Sequence, residues 1–413
     1  MGAPRKEFRL SGKLSEPISH YTDAVLCGDY LFMSGAGPFD ADLKLIGLGE
    51  IERQTEATLA NIAKMLEAAG MSFDDVVYWR ILLDNVRDQK KVDAAIKRVT
   101  GKAKPATTYI GAEALALPGM LIEIEGVAYK PSAGAGPRRE IMVPGVCDLG
   151  LHYSHVCKAG DLAWYSGINA SPIDERGRVL NVGDPALQAN QSYENLAKMC
   201  AAAGQEVADV AKVTVFIENV RHNQLLRPAR ARYHGRGRPT SAMIGIKELC
   251  IPGQHHQIEP VGYKATGSNP PRKEWVVPGY RKPISHYTDA VQCGDILFVS
   301  GAGGLEANLK PVHDRDVVKQ CEKTFEHIEA MLKVAGYGFD DVIKVTVFHT
   351  HVVERPLINP VRERIFKKSL PASTLFGVRG LAIEPLRLEI ESIAYKPGMG
   401  EANRNKPATG SYD

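Results

Sequence analysis

The sequence predicts an α+β protein made of three tandem copies of one domain, closed as a single-chain pseudo-trimer with an inner β-barrel and outer helices. Three observations predict this. Pro17-Ile-Ser-His-Tyr-Thr-Asp-Ala-Val25 returns unchanged as Pro283 to Val291, with a degenerate copy, Leu151-His-Tyr-Ser-His-Val156, between them. Each copy is followed by one pattern: Gly28-Asp-Tyr-Leu-Phe-Met-Ser-Gly35, Gly160-Asp-Leu-Ala-Trp-Tyr-Ser-Gly167 and Gly294-Asp-Ile-Leu-Phe-Val-Ser-Gly301. Each repeat closes on Glu123-Ile-Glu125, Gln257-Ile-Glu259 or Glu389-Ile-Glu391. The lead-ins agree as well: Arg5-Lys-Glu7, Arg138-Arg-Glu140 and Arg272-Lys-Glu274. A period of about 130 residues is a whole domain, not a solenoid unit. The domains are 1–134, 135–270 and 271–400, followed by a flexible tail, 401–413. The joints at 131–137 and 265–271 are Gly-, Ser- and Pro-rich, as linkers are.

Within repeat 1 each element has a local reason. Residues 8–10 and 23–27 read as short strands, and 30–34 as a buried one. Over 50–69, Ile51, Leu59, Ile62, Met65, Leu66 and Ala69 recur at helical spacing, and Gly70 ends the helix. Residues 76–83 form a β-rich run and 88–99 a second helix. Residues 107–114 and 120–129 form a last pair of strands around Leu117-Pro-Gly119. Both helices then cover one sheet face, and the sister repeats cover the other.

Composition narrows the class. Of 413 residues, 44% are hydrophobic and 24% charged, which excludes disorder and coiled coil. A net charge of +3 builds no basic field for nucleic acid. No apolar run reaches the ~20 residues of a membrane span, and residues 1–14 carry no apolar leader stretch. The expectation is a cytoplasmic monomer acting on a small molecule, without membrane or nucleic-acid partners, with further self-association left open. Seven cysteines without a Cys-x-x-Cys pair read as free thiols, not as a zinc site.

Chemistry is sought where polar residues recur. Glu123 and Glu125, two apart on a strand, share a face with Leu121; the matching faces carry His255 and Arg387. Burial beside Leu121 would raise the pKa of Glu123 toward neutral. Arg387 would lower that of Glu389 or supply a substrate-binding cation. His20, His152 and His286 recur before a Tyr, as proton shuttles or as interface donors. Ser34, Ser166 and Ser300 end a strand where backbone N–H groups could hold a polarised atom. The arginine run 227–238 reads as a solvated helix face.

These motifs together resemble the RidA/YjgF family of imine/enamine deaminases. The matching features are His-Tyr, Gly-Asp-x-x-x-x-Ser-Gly, the Gln-opened helix with Asn61 or Asn195, Pro-Ala-x-Thr and Glu-Ile-Glu. The family forms homotrimers with a site at each subunit interface, so three copies in one chain resemble a trimer written once. The resemblance implies that Glu123 and Glu389 position the hydrolytic water and that Tyr21, Tyr153 and Tyr287 bind substrate. It also implies a pocket asparagine, matched only by Asn359. The family's carboxylate-gripping Arg is replaced by Thr107, Ser241 and Ser373, and the catalytic Glu by Gln257 in repeat 2.

The expectation is a cofactor- and metal-free deaminase or hydrolase acting on the C–N centre of a small, non-amino-acid molecule. Glu123 and Glu389 would hold water and His20 and His286 would shuttle protons. Tyr21, Tyr153, Tyr287, Ser34, Ser300, Thr107, Ser373, Arg387 and Asn359 would bind substrate. Imines of simple amino acids would react weakly, and the repeat 2 site would be altered. A lyase or isomerase on the same scaffold, or a non-catalytic binder, are the alternatives.

Overall fold

A computed structural model describes residues 4–170, 179, 181–279 and 283–407. Repeat 1 contributes β1 (Lys6–Phe8), β2 (Ala24–Cys27), β3 (Tyr30–Met33), α1 (Ile51–Ala68), β4 (Val76–Leu83), α2 (Gln89–Thr100), β5 (Ala106–Gly111) and β6 (Ile122–Tyr129). Repeat 2 follows with β7 (Arg138–Ile141), β8 (Val156–Ala159), β9 (Leu162–Tyr165), α3 (Pro185–Ala202), β10 (Val210–Ile217), α4 (Asn223–His234), β11 (Thr240–Gly245) and β12 (His256–Tyr263). Repeat 3 holds β13 (Lys273–Trp275), β14 (Ala290–Cys293), β15 (Ile296–Gly303), α5 (Val317–Val334), β16 (Val342–His349), α6 (Arg355–Ile365), β17 (Ala372–Gly377), β18 (Gly380–Leu381), β19 (Leu388–Tyr395) and α7 (Met399–Asn403).

The three sheets share one order, β1-β2-β3-β6-β4-β5 in repeat 1, antiparallel except for the β4–β5 pair that α2 connects. In repeat 2, β18 of repeat 3 adds an outer strand beside β11. Every residue of β4 is buried, because both faces are covered. Trp79, Ile81 and Leu83 pack with Leu59, Ile62 and Leu66 of α1. Tyr78 joins a core shared by all three repeats, with Phe32, Trp164, Val261, Phe298 and Ile393. The recurring helix glutamine is a pin: Gln54 Nε2 donates to the carbonyls of Gly47 and Gly119, and its Oε1 accepts from Leu121 N. Gln188 repeats this with Asn181, Gly253 and His255.

The inner layer is three sheets packed face-in, not one closed hydrogen-bonded barrel. Their backbones meet through single bridges such as Thr22–Ala372 and Ala106–Ser154 and through the β11–β18 pair. Single backbone hydrogen bonds such as Gly35 N to Ser373 O and Gly167 N to Thr107 O, and side chains, add to the contact. At its centre each repeat grips the next one's second glutamate. Arg80 and Tyr78 hold Glu259, Lys212 holds Glu391 at 3.0 Å, and Lys344 holds Glu125 at 2.7 Å. The lead-in arginines close the same circle outside. Arg138 donates to Val76 O of repeat 1, Arg272 to Arg238 O of repeat 2, and Arg5 to Asp340 O and Val342 O of repeat 3.

The tail departs from expectation over 401–407. Asn403 is buried and donates to Gln292 Oε1 and Ala335 O, so α7 is docked rather than free. Positions 408–413 of the tail lie outside the described residues.

Candidate functional site

Three clefts lie where neighbouring repeats meet. The cleft of repeats 1 and 3, about 90 Å³, is lined by Tyr21, Ser34 and Glu123 from one side and Arg355, Arg362 and Ser373 from the other. The cleft of repeats 2 and 3, about 60 Å³, holds Tyr287 and Glu389 against Asn223, Arg230 and Ser241. That of repeats 1 and 2, about 30 Å³, sets Tyr153, Ser166 and Gln257 against Thr107 and Gln89.

In the 1/3 cleft the strand β6 delivers Glu123 to the cavity and Glu125 to the central charge cluster, two residues on along the same face. Their fates differ. Burial, reinforced by neighbouring Glu125, raises Glu123 to about 8. Burial also pushes Glu125 up, but Lys344 and Arg80 outweigh it and hold that carboxyl at about 2. Glu123 is 4% exposed, and its Oε2 has no hydrogen-bond partner. The carboxyl packs flat on Gly35: a Cβ there would lie 2.0 Å from Glu123 Oε1. The same crowding holds between Gly301 and Glu389 and between Gly167 and Gln257. The Gly of Ser-Gly is therefore the floor under the acid. Burial, with the charge of Glu123 next, raises the Tyr21 phenol to about 12.

The serines serve the interface. Ser34 Oγ donates to Thr22 O and accepts from Ser373 N, 2.7 Å away across the repeat boundary. Ser166 and Ser300 do the same with Thr107 N and Ser241 N. The Gly35 N–H donates to Ser373 O, so it is not open to a polarised substrate atom.

The histidines also lie outside the cavities. His20 Nε2 meets Phe366 O at the end of α6, 2.8 Å away, and His286 Nε2 meets Gly237 O at 3.1 Å. Each ties the loop before its Tyr to the neighbouring repeat, which corrects the proton-shuttle assignment for His20 and His286. His152 is likewise anchored, its N–H donating to Asp93. Arg387 faces Glu354 at 3.9 Å, outside the cavity residues. Asn359 accepts from Ser19 Oγ and so frames the 1/3 cleft without lining it. Thr107 Oγ1 donates to Pro105 O.

Sequence reasoning missed the arginines. Arg362 is 1% exposed; its Nη2 donates to Ser373 Oγ at 3.0 Å and its Nη1 to Ser19 Oγ at 3.1 Å. Burial lowers it to about 10, and among the described residues it makes no ion pair. Arg230, 3% exposed, holds the corresponding place in the 2/3 cleft, 5.8 Å over the Tyr287 ring. The signal was present: Arg362 follows Ile358 and Val361 on the buried stripe of α6, and Arg230 follows Leu226 and Ala229 on that of α4. An arginine on an apolar stripe is not a solvated charge. A guanidinium thus reaches the Ser373 hydroxyl from a helix instead of from the strand.

Among the described residues no three His, Cys, Asp or Glu side chains are grouped to hold a metal ion, and no helix is long and apolar enough to cross a membrane.

Comparison with known proteins agrees with this architecture. The Endoribonuclease L-PSP family profile matches residues 13–130, 149–261 and 280–396. A RutC family protein of Pyrococcus horikoshii is 36% identical over 126 residues, 30% of this chain and 98% of that protein. The 2-iminobutanoate/2-iminopropanoate deaminase of Dermatophagoides farinae is 30% identical over 112 residues, covering 27% of this chain and 87% of its own length. That of Mus musculus is 31% identical over 111 residues, covering 27% and 82%. A crystallised chorismatase shares the fold over 78% of this chain and 93% of its own, with 13% identity and a TM-score of 0.52. With its family profile found three times over nearly the full length, the chain belongs to the RidA/YjgF family, as three family domains in one polypeptide.

Proposed function

We propose that the protein is a hydrolytic deaminase that adds water to the C=N bond of a small carboxylate-bearing imine, or of an enamine after protonation, in the 1/3 cleft. One observation carries this reading. A buried carboxyl group with an unpartnered oxygen, Glu123, and a buried guanidinium without an ion pair, Arg362, line one cavity. With its pKa at about 8, Glu123 is mostly the neutral acid at pH 7. It can protonate the enamine carbon or the imine nitrogen, and its carboxylate can then take a proton from the attacking water. Water oxygen bonds to the imine carbon and gives a carbinolamine. Glu123 returns that proton to the amino nitrogen, the C–N bond breaks with its electron pair leaving on ammonia, and the hydroxyl gives its proton to the Glu123 carboxylate as its oxygen becomes the carbonyl of the product. Each step is an addition, an elimination or a proton transfer, and no oxidant or reductant is consumed. Tyr21 bounds the same cavity and would orient the substrate. The expectation of a non-amino-acid substrate rested on the missing strand arginine, and Arg362 supplies a cation there. The deaminases named among the relatives support the reaction class.

The test is ammonia release from 2-iminopropanoate generated in situ. Glu123→Gln is expected to lower kcat by ~10²-fold or more, and Arg362→Leu to raise KM more than it lowers kcat. Ammonia release no faster than in buffer, from this imine and from 2-iminoglutarate alike, would refute the deaminase and leave the binder.

A further inference from the structure

We infer that the 1/3 cleft selects substrates carrying two carboxylates, whereas the 2/3 cleft takes substrates carrying one, with Arg355 as the residue that makes the difference. The inference deepens the deaminase reading, on which it rests for the identity of the site.

The argument starts from one helix in three versions. The first residue of α2, α4 and α6 is Gln89, Asn223 and Arg355; the eighth is Ile96, Arg230 and Arg362. Seven residues are about two helical turns, so these two positions share a face, ~10.5 Å apart along the axis. The face turned to the cleft thus carries two guanidinium groups in the 1/3 cleft, one in the 2/3 cleft and none in the 1/2 cleft. Both arginines line the 1/3 cavity. Arg362 sits deep, fixed by Ser19 and Ser373. Arg355 is half-buried at the other end, with Nη1 on Ala116 O at 2.9 Å and a buried Nε without a partner.

The acid that acts on Arg355 in this cavity is Glu123, which burial biases toward its neutral form. Among the described residues neither arginine makes an ion pair. The acids on the cavity wall are engaged or neutral: Glu16 pairs with Arg9, and Asp23 accepts from Leu10 N. Burial raises Asp23, against the Leu10 N–H and Arg9 that lower it, and raises Glu123 to about 8, which favours the uncharged form of Glu123 at pH 7. One buried and one half-buried cation without an ion-pair partner are stabilised by a ligand that brings two negative charges, and each charge-assisted hydrogen bond adds to affinity. In the 2/3 cleft, Asn223 in place of Arg355 leaves one cation for one carboxylate.

The experiment titrates the full chain calorimetrically with 2-oxoglutarate and 2-oxobutanoate, stable 2-oxo acids with two carboxylates and one. The expected result is one tight 2-oxoglutarate site, at least ~10-fold stronger than 2-oxobutanoate at that site. Arg355→Gln should erase the preference while keeping 2-oxobutanoate binding. Asn223→Arg, at an independent position, should create a second tight 2-oxoglutarate site. Equal affinities in the unmodified protein, or a preference that survives Arg355→Gln, would overturn the inference. Its failure is separable from that of the deaminase reading. A dicarboxylate preference with no ammonia release from any imine refutes only the reaction. Ammonia release without such a preference refutes only the selectivity.

Discussion

Glu123 shows how burial of one carboxyl couples stability to pH. Its folded pKa of about 8 lies above the ordinary 4.5, so between those values the folded chain keeps a proton that the unfolded chain has released. Stability therefore falls as pH rises through this window, at about 1.4 kcal/mol per pH unit. Glu123→Gln removes the slope. The variant should be inactive in this cleft, yet gain melting temperature relative to the unmodified protein above pH 8. Melting curves and kcat/KM measured from pH 5 to 9 check both limbs; parallel melting–pH curves would show that Glu123 does not titrate as described. Burial of this residue was legible in the sequence, since Glu123 alternates with apolar strand residues. The unpartnered oxygen was not, because it depends on which groups the rest of the cleft brings to the carboxyl. The histidines mislead for the opposite reason: recurrence at a threefold interface marks assembly contacts as readily as chemistry.

At the scale of elements, strand ends help to join the repeats. Ser34 stitches the end of β3 to β17 with one donated and one accepted hydrogen bond, both buried. Ser34→Ala leaves the Ser373 N–H without its acceptor and should cost ~1–3 kcal/mol, read as a shift of the denaturant midpoint at unchanged m-value. An unchanged midpoint would mean that the interface does not depend on this stitch. Strands and helices were readable from periodicity because each buries a regular face. The functional side of α6 was not, because Arg362 occupies an apolar position and its meaning comes from the cleft of another repeat. Asn359, legible as a pocket residue by resemblance, acts one step back by holding Ser19.

The whole molecule is organised by charges that are almost wholly buried. Arg80 pairs with both Glu125 and Glu259, so Arg80→Met strips a cation from two buried carboxylates and should destabilise by about 3–5 kcal/mol. Thermal unfolding of that variant is the check, and a loss below ~1 kcal/mol would mean that the two acids relax into their protonated forms. The pseudo-trimer was legible because whole domains recur in sequence. The inequality of its clefts was legible only in part: Gln257 announced one altered site, while the graded supply of cations emerges only where the repeats meet.

The lead-in arginines have a topological consequence. Arg138 and Arg272 fasten repeats that the backbone also links, whereas Arg5 makes the corresponding contacts to repeat 3 with no peptide bond spanning that joint. Seen from the contacts, the three joints are alike, and the molecule is a ring with one covalent opening. The opening could therefore stand at any of the three positions: a rearranged polypeptide running 2–3–1 keeps every neighbour, while one running 1–3–2 reverses the hand of the ring and sets each cation beside the wrong glutamate.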